Sequence, residues 1–112
     1  EIVGAFRYRM VLSHERPELP AYDQDLWANR MRYEESDPEE SLALFTVVRE
    51  SNLRLIERAT PAERHRAMRH SERGDETIEE TVRLYAGHDV VHRRQIARIR
   101  AAIGAPLPEA PA

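Results

Sequence analysis

Apolar residues recur at helical rather than alternating spacing along most of the chain. Ile2, Val3, Phe6 and Met10 form the first such stretch, which predicts a helix to about His14, before Pro17 and Pro20 forbid its continuation. Pro17 to Asp23 reads as a rigid connector, and Asp23 as the cap of a short helix carrying Leu26, Trp27 and Met31. Asp37-Pro38-Glu39-Glu40 joins an N-cap, a proline at the first helical position and acidic side chains at the positive end of the helix dipole. It opens a long helix with an apolar row of Leu42, Phe45, Val48, Leu55, Ile56 and Ala59. Thr60-Pro61-Ala62-Glu63 then writes a capping box for a short helix bearing Arg64, His65 and Met68, and Arg69 to Asp75 reads as a polar loop. The last helix is predicted from Thr77 to about Ile103, stopped by Gly104 and Pro106, with residues 105–112 as a frayed tail. No period-two strand pattern is found anywhere in the sequence. The expectation is an all-α single domain over residues 1–112, an antiparallel four-helix bundle with a partly irregular second element.

The last helix carries an interruption. Ile78, Val82, Tyr85, Asp89, His92, Ile96, Ile99 and Ile103 follow one seam by steps of four and three, aliphatic at both ends and polar in the middle. His88 and Gln95 lie on the row beside Asp89 and His92. Burying an acid beside imidazoles costs several kcal/mol unless they are paired or coordinated. His88 and His92, four residues apart, are separated by about 6 Å along the axis and about 40° around it. Their nitrogens can therefore converge to about 2.0–2.1 Å from one zinc-like ion, with Asp89 or a backbone carbonyl receiving the other ring N–H. A merely hydrogen-bonded pair is the plainer alternative, because such sites generally take at least three protein ligands. His14, His65 and His70 are expected on the surface, and Tyr22 and Trp27 to pin the proline connector by packing.

Composition narrows the chemistry. The 112 residues make one domain's worth of chain, 41% hydrophobic and 33% charged. A core this small leans on a metal or a partner subunit for stability. Its 17 basic residues, all arginine, and 20 acidic residues are scattered to a net charge of −3, which leaves no basic face for nucleic acid. No cysteine is present, so any metal must be held by imidazole and oxygen. No apolar run approaches the roughly 20 residues that span a bilayer, and a cytoplasmic protein is the default. Neither a Ser-His-Asp pattern nor a glycine-rich phosphate loop is found among 4 glycines. The sequence enters its first apolar stretch at Glu1 with no methionine or cap, so an upstream segment is expected to be missing.

Three stretches, Glu1 to Arg9, Tyr22 to Ala28 and Gly87 to Ile96 with its H-x-x-x-H-x-x-Q-I pattern, resemble the DinB-like (YfiT-type) superfamily over nearly the whole chain. The resemblance implies a four-helix bundle, often dimeric, holding nickel or zinc on three histidines. Two of these correspond to His88 and His92, and the third would fall just before Glu1. Some relatives are thiol-dependent transferases or isomerases whose ion activates a low-molecular-weight thiol, which suits a chain without cysteine. The expectation is a metal-dependent thiol S-transferase or hydrolase-type enzyme acting on a small molecule as a homodimer, with Asp89 orienting a ligand. The alternatives are a non-catalytic metal-binding or stress-associated helical dimer, and a dimer whose histidines are only structural.

Overall fold

The computed structural model describes residues 1–105. Most of the expected tail, residues 106–112, lies outside them. The chain divides into two compact units, Glu1–Glu79 and Glu80–Ala112. It is mostly helical, with one small sheet.

In the first unit, helix α1 (Ile2–Ser13) buries Gly4, Arg7, Tyr8 and Val11, which share one face at spacings of three and four. This is not the expected row, since Ile2 and Phe6 are exposed. Arg7, which a hydropathy count assigns to solvent, lies on the buried face because its guanidinium meets His70. Helix α2 (Gln24–Arg30) is capped as anticipated, Asp23 Oδ1 accepting from the Leu26 N–H at 2.8 Å. Tyr22 and Trp27 pack with ring centroids 4.6 Å apart. After a 3₁₀ turn at Tyr33–Glu35, helix α3 (Pro38–Arg58) starts on Asp37, whose Oδ1 accepts from the Glu39 N–H at 2.9 Å.

Polar side chains join α3 to α1. Asn52, the buried residue of α3, accepts from Arg9 Nη1 at 3.0 Å and donates to Glu1 Oε2 at 3.1 Å. Arg49 Nε donates to the other Glu1 oxygen at 2.8 Å. Every hydrogen-bonding function of the Asn52 amide that this network uses is matched, as burial demands.

Helix α4 (Pro61–Arg64) has the capping box read from the sequence: the Glu63 N–H donates to Thr60 Oγ1, and the Thr60 N–H to Glu63 Oε2 at 2.8 Å. These bonds hold the Glu63 carboxyl below its usual range. The helix ends four residues short of Met68, and there the all-α expectation gives way. Ala67–His70 is a strand, β2, paired in parallel with β1 (Glu18–Leu19) and antiparallel with β3 (Gly74–Thr77) in the order β1-β2-β3. Most of the anticipated polar loop is thus a hairpin. Its register pairs His70 with Gly74, and Gly74 takes φ +85°, a conformation open chiefly to glycine. Met68 and His70 point inward, 1% and 2% exposed, while Arg69 and Ser71 point out. That is a period-two pattern, but a short one with an imidazole in an apolar place. The core of this unit is built from Tyr8, Val11, Leu19, Met68 and Ile78.

Helix α5 (Ile78–Ala102) runs on directly from β3 and supplies the described part of the second unit. Its end is a Schellman motif: Gly104 is left-handed at φ +72°, the Ala105 N–H donates to the Arg100 carbonyl at 2.8 Å and the Gly104 N–H to that of Ala101 at 3.2 Å. Among the described residues no helix is long and apolar enough to cross a membrane.

Candidate metal centre

The seam of α5 is not buried throughout. Ile78 is in the core, Val82, Tyr85 and Asp89 are half-buried, and His92, Ile96, Ile99 and Ile103 are exposed. His88 is exposed as well. The two imidazoles are therefore not held together by burial; the helix itself does it. Residues at i and i+4 stand one above the other, and here the rings meet edge to face with centroids 4.3 Å apart at 74°. Their Nε2 atoms are 3.2 Å apart.

That separation can be compared with a metal site. Two nitrogens at 2.0–2.1 Å from a tetrahedral ion lie about 3.3–3.4 Å from each other. The pair is thus already spaced as two ligands, and imidazole is a donor suited to nickel or zinc. The same 3.2 Å equally accommodates one N–H donating to the other ring. No group of three or more His, Cys, Asp or Glu side chains that could hold an ion occurs among the described residues. The geometry fits two ligands of a metal.

Asp89, expected to orient a ligand, sits half-buried on the same helix, and Gln95 meets the far nitrogen of His92. Its Oε1 lies 3.1 Å from His92 Nδ1. The spacing 88, 92, 95 by steps of four and three was visible in the sequence; which neighbour would turn to the ring was not.

The remaining histidines separate into two kinds. His14 is exposed, with Nδ1 2.8 Å from Ser13 Oγ, and His65 is exposed, with Nδ1 2.7 Å from the Pro61 carbonyl. Both are surface residues as expected. His70 is the reverse of its expectation, buried between helix and hairpin. Arg7 Nη2 stands 3.1 Å from its Nε2, and the Glu72 N–H donates to its Nδ1 at 3.2 Å. Burial, then the nearby Arg73 and Arg7 guanidinium groups, push its pKa down, against Glu76 and Glu72. Arg73 in turn grips Glu76, Nη2 to Oε2 at 2.8 Å, and holds that carboxyl below its usual range.

Comparison with known proteins places the chain in a family. The sequence profile of the DinB superfamily matches residues 2–96. No curated protein matches the chain. Among solved structures, YfiT from Bacillus subtilis, a probable metal-dependent hydrolase with an unusual four-helix bundle topology, is similar with a TM-score of 0.85 at 24% identity. The match covers 92% of this chain and 59% of that one, so this chain spans less than two thirds of the length of YfiT. A likeness so close in shape and so distant in sequence establishes the fold alone. With the profile covering most of its length, the chain belongs to the DinB superfamily.

Proposed function

We propose that this protein binds a divalent metal, nickel or zinc, with His88 and His92 as two of the ligands, and that it is an enzyme of the thiol S-transferase or hydrolase type. The observation that carries this reading is the 3.2 Å separation of the two Nε2 atoms on one exposed helical face. Superfamily membership, and the metal dependence ascribed to YfiT, are consistent with it. When bound, such an ion supplies Lewis acidity and lowers the pKa of a thiol or water it coordinates. The chain's own part is to present two imidazoles from adjacent turns of α5, on a surface open to a small molecule. Having no cysteine, it would draw a thiol from a low-molecular-weight cofactor.

A second reading, metal binding without turnover, is favoured by the count of ligands, since the described residues offer two imidazoles where three protein ligands are usual. Calorimetric titration with zinc and nickel tests the shared claim. His92→Ala is expected to abolish saturable binding, and His65→Ala to leave it unchanged. Equal behaviour of the two variants, or no binding by the parent, would remove both readings. Turnover of a thiol with an electrophile in the metal-loaded protein separates the first from the second.

A further inference from the structure

We propose that Gln95 is a positioning residue: its amide oxygen accepts the Nδ1 proton of His92 and so fixes the tautomer that leaves the His92 Nε2 lone pair free for a metal. The inference deepens the metal-binding reading and rests on it for its purpose, but not for its geometry.

The argument starts from the contacts. A neutral imidazole has one N–H and one lone pair, so whatever occupies Nδ1 decides the state of Nε2. Gln95 Oε1, 3.1 Å from Nδ1, can only accept. Nδ1 therefore carries the proton, and Nε2 holds the lone pair on the side of His88. Across the 3.2 Å gap between rings, His92 Nε2 then accepts from His88 Nε2–H. The chain of bonds runs from His88 through His92 to Gln95, all on one helix, at spacings that put the three side chains on one face. No other element need hold it.

The two histidines are consequently unequal. His92 already presents a lone pair in the ligand direction. His88 has its proton on Nε2 and must move it to Nδ1, by exchange with water, before its Nε2 can bind. Outer partners of this kind commonly affect metal affinity by about 10–100-fold. A glutamine, unlike the expected Asp89, fixes the ring without adding negative charge.

The test begins without metal. Long-range proton–nitrogen correlation spectra of nitrogen-labelled histidine, recorded after chelation at about pH 8.5, well above the ordinary imidazole value, report which ring nitrogen is protonated. In the wild type His92 is expected in the Nδ1–H form and His88 in the Nε2–H form. Gln95→Leu should return His92 largely to the Nε2–H form preferred by an unconstrained histidine side chain, and Gln95→Glu, an acceptor only, should restore Nδ1–H. Helicity by circular dichroism confirms that each variant folds. An Nε2–H form of His92 in the wild type, which is what an amide rotated to donate would give, overturns the proposal; so does a tautomer that Gln95→Leu leaves unmoved. Zinc titration then reads the consequence, a loss of about 10–100-fold in affinity for Gln95→Leu with recovery in Gln95→Glu. If the tautomers behave as expected and the wild type binds no zinc, the positioning role stands and the metal reading fails.

Discussion

Both ring nitrogens of His70 face N–H donors, Arg7 on one side and the Glu72 amide on the other. A neutral ring can accept from one of them; a protonated ring can accept from neither, and would add a cation beside Arg7 and Arg73. Burial first, and then the Arg73 and Arg7 cations, lower its pKa, and the two donors act in the same direction. In the unfolded chain the imidazole titrates near its ordinary value of about 6.5, while in the folded protein it does so lower. Between these values the unfolded chain holds the extra proton, so stability is complete above about pH 6.5 and falls as the pH drops below it. Urea denaturation from pH 7.5 to 5 should show this loss, with a slope of at most about 1.4 kcal/mol per pH unit. In His70→Gln that component should vanish, and identical slopes in the two proteins would refute the assignment. Nothing in the sequence distinguished this residue from His14 or His65. An imidazole is equally at home on a surface and in a satisfied interior, and its burial depends on Arg7, sixty-three residues away.

The helical elements were legible because their signals are local. Asp23, Asp37 and Thr60 each bond an amide two or three residues on, so identity and spacing suffice to place those helix starts. The hairpin was not legible. Met68 and His70 are its inward residues, and four positions with one imbalanced hydrophobe cannot outweigh a capping box just upstream. Gly74 was the available clue, read only as a loop residue. A Cβ there would meet nothing within 4 Å, so a larger side chain is opposed by the backbone alone. Gly74→Ala is therefore expected to cost about 1 kcal/mol through the positive φ, and Gly74→Asn less, because asparagine tolerates the left-handed region better. Thermal melts of the three proteins check the ranking; an alanine variant as stable as the parent would mean that the turn relaxes. The same logic explains α5: spacing marked the histidine pair and its face, but a helical period says which residues share a side and not what covers it. Ile96, Ile99 and Ile103, placed by periodicity in a core line, are 51%, 54% and 72% exposed.

At the scale of the molecule, the family and most of the helices were readable, and the sheet was not, because it joins segments distant along the chain. The hairpin β2–β3 closes over three residues, whereas β1 comes from about fifty residues upstream, and closing a long loop carries an entropic cost that a short one avoids. The two residues of β1 offset it with the buried Leu19 side chain and with bonds that include the Arg69 N–H to the Pro17 carbonyl at 2.9 Å and the Ser71 N–H to that of Leu19 at 3.3 Å. The expected order is that the hairpin, closed by the shorter loop, forms before β1 joins it, and that β1 detaches first. Native-state hydrogen exchange should find the Arg69 and Ser71 amides opening at lower denaturant than the β2–β3 ladder, and a single shared opening would contradict this. The proline connector between α1 and α2 would then act as a latch that can lift while the hairpin beneath it stays closed.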